Sequence, residues 1–236
     1  MTTKVSTQAP TLGLVGATGG TGSAILRLAI ERGVAVKALV RSPDKLAAMF
    51  PSGLPANVVA IKGDATHEGD MRKLLEAGID VAVLAVGTSS LEKNSVCLDT
   101  AVALVRAAAR WHFTTSPTPA PLRVVTVSGG GLGAKPGFIM EKILVPAFLK
   151  EPLFDALQME AALRTAPPEA LQSTIVRPYR LTDGPASGHV HVVAEDFHAP
   201  IVLRYTTRAD VAQAVLDEAA SGAHLGSVIN VYTGGA

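Results

Sequence analysis

The stretch Thr11-Leu12-Gly13-Leu14-Val15-Gly16-Ala17-Thr18-Gly19-Gly20-Thr21-Gly22-Ser23 decides how this chain is read. A short apolar run, Thr11–Gly16, ends on glycine, and Gly20–Glu31 then carries Ile25, Leu26 and Ala29 at helical spacing. Each glycine of the turn has a steric role. Gly16 permits the tight reversal, Gly19 lets a pyrophosphate approach the backbone, and Gly22 lets the helix pack closely on the strand. The helix start adds unpaired N–H groups and the positive end of a dipole. A glycine pattern alone is weak, but this one has the required strand before it and helix after it. The plain alternative is a glycine-rich turn that holds no ligand.

Outward from the turn, strand and helix alternate. Val34–Val40, Val58–Lys62, Ile79–Val86 and Val124–Ser128 read as strands, separated by helices at Leu46–Phe50, Glu68–Glu76 and Asn94–Arg110. Such alternation implies parallel pairing with right-handed crossovers. The expected class is therefore α/β: a doubly wound parallel sheet of the Rossmann type. Phe113–Pro121, with its prolines and Ser/Thr cluster, reads as a surface loop. Further on, the expected elements are helices at Ile139–Leu149 and Leu153–Thr165 and a strand at Thr174–Arg177. A Gly/Pro loop at Leu181–Gly188 and short strands at His189–Val193 and Ile201–Arg204 follow, then a helix at Thr207–Ala219 and a last strand at Ser227–Tyr232. This less regular third is expected to form a small substrate-side lobe on one domain spanning 11–236, after a mobile tail at 1–10.

The strand ends supply the candidate site residues, because open α/β sheets bind ligands at their carboxyl edge. Gly16, Thr18, Gly19, Gly20 and Thr21 form the phosphate turn. An acidic residue about 20 residues beyond the turn would hold the ribose hydroxyls of NAD. Arg41 stands there instead, followed by Ser42, with Lys45 nearby. A guanidinium pairs with a 2′-phosphate in bidentate fashion, so NADP(H) is the expected cofactor. Alternatively, Arg41 is a solvated strand-end residue. Asp64, followed by Ala65, accepts from the adenine amino group or caps the next helix; both readings stand. Val86 and Gly87 close the fourth strand at the same edge. Ser128 closes the fifth and could donate to a developing oxyanion, ahead of the open run Gly129–Gly133. Tyr179, after Arg177-Pro178, either reaches the substrate or packs against the lobe. His189 and His191 share a strand face with no third ligand at metal spacing. Thr207 and Asp210 fit a helix-capping pattern, which makes Asp210 structural.

Taken together, these residues resemble the atypical short-chain dehydrogenase/reductases, nearest to the group of NmrA-like proteins and biliverdin-IXβ/flavin reductases. The resemblance rests on Gly16–Gly22, Val40-Arg41-Ser42-Pro43, Gly63-Asp64, Gly87-Thr88, Val127-Ser128, Val176-Arg177-Pro178, Leu181-Thr182-Asp183-Gly184-Pro185 and Thr207-Arg208-Ala209-Asp210-Val211-Ala212. It spans Thr11 to Ala212. It implies a cofactor lying across the switch point of the sheet, with Ser42 and Pro178 beside it and Ser128 as the active-site serine. One departure matters. Short-chain dehydrogenases protonate with a tyrosine paired to a lysine four residues on, and none of Tyr179, Tyr205 and Tyr232 has that lysine. The helix where the pair belongs reads Pro152-Leu153-Phe154-Asp155-Ala156-Leu157-Gln158-Met159-Glu160. A conjugated acceptor, which spreads charge and takes its proton from solvent, tolerates that loss better than a simple ketone does.

Composition narrows the classes further. The net charge is +1 with no basic block, against a nucleic-acid surface. Cys97 is the sole cysteine, against an intrachain disulfide or a Cys-ligated zinc. Residues 1–10 lack the apolar core of a signal peptide, and no apolar run is long enough to span a membrane. The expectation is a cytoplasmic monomer or homodimer that reduces a conjugated small molecule with NADPH. A non-catalytic NADP(H) sensor and a redox-neutral isomerase are the alternatives.

Overall fold

The computed structural model describes residues 9–87, 95–115, 117–129, 150–194 and 205–233. The first half runs β1 (Leu12–Val15), α1 (Gly20–Glu31), β2 (Val36–Val40), α2 (Pro43–Ala47), β3 (Val58–Lys62), α3 (Glu68–Glu76), β4 (Val81–Leu84), α4 (Val96–Thr114) and β5 (Leu122–Val127). The second half adds α5 (Lys150–Arg164), β6 (Leu171–Pro178), β7 (Arg180–Thr182), β8 (His191–Ala194), β9 (Tyr205–Thr207), α6 (Arg208–Ser221) and β10 (Val228–Tyr232). The main sheet has eight strands in the order β3-β2-β1-β4-β5-β6-β10-β8, and β7 and β9 form a separate parallel pair. The first six follow the doubly wound order, so the chain reverses direction across the sheet between β1 and β4. That is where a crevice opens.

Alternation along the strands feeds two apolar layers. Leu12 and Leu14 of β1 and Val81 and Val83 of β4 pack with Ile25, Leu26 and Ala29 of α1 and Val211 and Val215 of α6. Val15, Ala82 and Leu84 face the other way, onto Met71 and Leu74 of α3, Leu104 and Ala107 of α4 and Met159 of α5. Both faces are covered, which is why these strands read as continuous apolar runs.

The structure corrects several expected boundaries. The second helix starts at Pro43, with the Ser42 hydroxyl accepting from Lys45 N at 3.3 Å; proline is preorganised for a first helical position. The fourth helix runs on through Phe113 and Thr114, so the expected loop begins later. The Leu181–Gly188 loop contains the end of β7, which pairs in register with β9 as Leu181 opposite Thr206. The edge strand β8 runs antiparallel to β10, so the sheet is not wholly parallel. The expected helix at 139–149 and strand at 201–204 lie outside the described residues.

One buried ion pair ties α5 to β6. Arg177 Nε and Nη2 donate to Glu160 Oε1 and Oε2 at 3.0 and 2.5 Å, with both side chains about 95% buried at 5% and 4% exposure. Glu160→Ala would remove this bidentate carboxylate from a guanidinium buried in the core. The expected loss is about 3–5 kcal/mol, read in thermal unfolding as a fall of roughly 6–20 °C. A change under about 2 °C would show that Arg177 finds another partner at little cost.

Candidate functional site

The turn after β1 is built on its glycines. Gly16 has φ +89°, and a Cβ there would lie 2.3 Å from the Ala85 carbonyl oxygen at the end of β4. A Cβ on Gly22 would lie 2.0 Å from the Gly16 oxygen, so only glycine lets α1 pack this closely. Gly19 differs: its backbone is ordinary extended chain (φ −85°, ψ 168°). A Cβ there would meet only the Gly16 oxygen, at 3.3 Å. The fold does not need a glycine at 19, whereas a ligand approaching that backbone would. Gly19 is also the N-cap of α1; it offers no side-chain cap, and no acidic residue occupies the first turn. The N–H groups of that turn have no intrahelical partner, so the helix start is left for an external anion.

Two cavities meet at this turn. The first, about 290 Å³, is walled by Gly16–Gly19, Arg41, Lys45, Gly63–Thr66 and Ala85–Gly87, with Val96 and Thr100 of α4 behind. Arg41 makes no ion pair among the described residues and is exposed. Asp64 does not cap α3, whose N-cap is His67. Its Oδ1 instead accepts from Thr66 N and Oγ1 at 3.0 and 2.8 Å, and these bonds hold its carboxyl below the usual range, with smaller help from His67 and Arg41. Asp64 is therefore an anion in the cleft wall near neutral pH. The second cavity, about 500 Å³, shares Gly19 and Ala85–Gly87 and adds Gly20, Thr21, Cys97, Ser128, Gly129, Leu153, Ala156, Met159, Leu181 and Arg208. Together they run across the switch point from the β2 edge to the end of β5.

Ser128 is held where β5 ends, its N–H donating to Val176 O at 2.8 Å. Its Oγ is buried and has no hydrogen-bond partner among the described residues. An unmade bond of this kind costs about 1–3 kcal/mol, which a ligand oxygen would recover. Cys97 is not a nucleophile here: burial first, then the nearby Asp155 carboxylate, push its thiol up to about 12. Asp155 lies on α5, the helix on which the sequence leads one to expect the tyrosine–lysine pair. It is 2% exposed and accepts from Cys97 N and Leu98 N, both at 2.9 Å, capping α4 rather than transferring protons. Among the described residues lining the second cavity there is no tyrosine, lysine, histidine or carboxylate.

Thus Gly16, Thr18, Gly19, Arg41, Asp64, Ala65, Val86 and Gly87 come together in the first cavity, and Gly20, Thr21 and Ser128 in the second. Three expected residues do not line either. Ser42 is exposed beside the first cavity, its hydroxyl accepting from Lys45 N in the α2 cap. Pro178 is buried at the end of β6. Tyr179 is 1% exposed, its ring edge-on to Tyr232 with centroids 5.8 Å apart, so the geometry is that of packing. The histidines lie elsewhere: His191 stacks on Tyr232, and both it and His189 line a separate cleft against α6. Thr207 caps α6 as expected, its hydroxyl accepting from Asp210 N at 3.1 Å, while Asp210 Oδ1 takes Ser187 N at 2.8 Å. Of the glycine run, 130–133 lie outside the described residues. Sequence reasoning missed Arg208, Thr100, Met159 and Cys97 as wall residues. Only Arg208 carried a signal, a lone cation inside the capping motif.

Comparison with known proteins gives a family and a fold. A family described as NAD(P)H-binding matches residues 16–221. Among solved structures, the fold is similar to ChuY, an anaerobilin reductase from Escherichia coli O157:H7, at 21% identity and TM-score 0.72, over 94% of this chain and 96% of that one. It is similar to the oxidoreductase ylbE from Lactococcus lactis at 22% identity and TM-score 0.74, over 95% and 91%. It is also similar to SP1627, a candidate NADH-flavin reductase from Streptococcus pneumoniae, at 23% identity and TM-score 0.64, over 94% and 99%. At such identities the likeness speaks to the fold. No helix among the described residues is long and apolar enough to cross a membrane.

Proposed function

This chain belongs to the NAD(P)H-binding family, and from that premise we propose that it is an NADPH-dependent reductase of a conjugated small molecule. The observation that carries the reading is Ser128. Its hydroxyl is buried without a partner, beside a cavity continuous with the glycine turn, and the described walls hold no side chain with the usual acid chemistry. The bound nicotinamide would supply a hydride. Gly20 and Thr21 would present their N–H groups to the diphosphate, Gly19, whose own N–H donates to Gly16 O at 2.9 Å, would leave it room, and Arg41 with Lys45 would meet the 2′-phosphate. Asp64 would accept from the adenine amino group. Ser128 would donate to the substrate oxygen as negative charge develops on it. Leu153, Ala156 and Met159 offer an apolar wall for a flat substrate, and the proton would come from solvent after the charge has spread through conjugation. A buried free thiol, Cys97, suits a reducing cytoplasm, and the protein would act as a monomer or homodimer.

The test is NADPH oxidation by the purified protein against panels of flavins, quinones and enones. Turnover of at least one class is expected, and none across the panels would sink the reductase reading. Cofactor choice has its own test. NADPH should bind more tightly than NADH, and Arg41→Ala should remove most of the difference, about 1.5–3 kcal/mol for a charge-assisted phosphate contact. Equal calorimetric affinities in the unaltered protein would refute it. The missing acid also favours a second reading, a non-catalytic NADP(H) sensor, which predicts tight binding with no oxidation and a changed affinity for a protein partner. Substrate conversion without net cofactor oxidation would instead mark a redox-neutral enzyme.

A further inference from the structure

Arg208 is the one charged side chain among the described residues of the second cavity. It begins α6, yet it lies against the start of α1, because α1 and α6 pack side by side on one face of the sheet. The contact is close. A Cβ on Gly20 would sit 2.8 Å from Arg208 Nε and 3.2 Å from its Cδ. The lack of a side chain at 20 is what admits the guanidinium to the helix start. Nη1 of Arg208 donates to Asp183 Oδ1 at 2.5 Å, but the Asp183 side chain is 92% exposed and that of Arg208 30% exposed. Solvent screens an ion pair this wet and leaves it weak. Its carboxylate is a weak hold on a cation placed beside unpaired helix N–H groups.

We propose that Arg208 is a second cofactor ligand: it clamps the dinucleotide diphosphate against the first turn of α1, and Asp183 is the competing anion it gives up on binding. A guanidinium presents a planar fork to phosphate oxygens. Here it would meet the diphosphate together with the Gly20 and Thr21 amides of the helix start. The cation at Arg41 reads the 2′-phosphate at the far end of the ligand, so the two arginines recognise different groups. Releasing Asp183 also removes a tie on the Asp183-Gly184-Pro185 turn that follows β7, so cofactor binding reaches the lobe beside the second cavity. This inference rests on the family's dinucleotide site and not on any reduction step.

Fragment binding separates the two arginines, read by calorimetry or by competition with NADPH fluorescence. ADP-ribose carries the diphosphate without the 2′-phosphate; adenosine 2′-phosphate carries the reverse. Arg208→Gln should weaken ADP-ribose and NADPH roughly 10-fold to 100-fold and leave adenosine 2′-phosphate unchanged. Arg41→Ala should do the opposite to the two fragments. Asp183→Asn, which removes only the competitor, should tighten ADP-ribose by about 1.5-fold to 5-fold, and it guards against a folding defect in the Arg208 variant. Unchanged ADP-ribose affinity in both variants overturns the proposal. So does a loss confined to the KM of an acidic acceptor, which would make Arg208 a substrate anchor. If the fragments behave as stated and no acceptor is ever reduced, the clamp stands while the reductase reading falls.

Discussion

Gly19→Val is expected to abolish dinucleotide binding while leaving the protein folded. Both halves follow from the geometry of one Cβ. At φ −85° and ψ 168° the backbone is open to any L residue, and the added atom would meet only the Gly16 oxygen, at 3.3 Å. Valine therefore asks the Gly16 oxygen to give by a few tenths of an ångström, far less than a Cβ at Gly16 or Gly22 would demand. Its branches would fill the space through which a pyrophosphate approaches the helix start. The same substitution at Gly16 or Gly22 would be uninformative, since a Cβ would collide with backbone at 2.3 or 2.0 Å and damage the fold itself. Titration with NADPH, paired with circular dichroism and thermal unfolding, separates the two effects. Unchanged affinity in a well-folded variant would show that the cofactor binds elsewhere.

Ser128→Ala is expected to lower turnover by about 100-fold to 1000-fold, the cost of removing one oxyanion donor, with cofactor affinity unchanged. Stability provides an independent check. The Ser128 hydroxyl has no partner among the described residues, so deleting it removes a desolvation penalty rather than a bond. The variant should be as stable as the parent or more so, by up to about 1–3 kcal/mol. A catalytic loss accompanied by lower stability would point to a structural bond instead. A loss under about 10-fold would leave the serine merely positional and place the stabilisation of charge in the substrate's own conjugation. Rates must be measured alongside cofactor titrations, so that weakened binding is not read as weakened chemistry.

The frame of the fold is legible in local pattern. The runs that became β1, β2, β3 and β4 and the helices α1 and α3 are legible because their signals are local: apolar runs of strand length, helical spacing, and glycines whose steric roles act within a few residues. The same locality exposed the turn at Gly16–Gly22, the cation at Arg41 and the cap at Thr207. What each strand end faces depends on long-range packing. Tyr179 and Ser128 both follow strands at the carboxyl edge, but Tyr179 packs into the core against Tyr232 while Ser128 lines the cavity. That choice belongs to β10, which pairs with β6 from far along the chain. Asp155 likewise found its partners at Cys97 and Leu98, and Arg208 its place on Gly20, through packing of α5 on α4 and of α6 on α1. The chemistry of Tyr179, Asp155 and Arg208 is written in their types, but these neighbours come from segments more than 50 residues away in the chain, which no local pattern encodes.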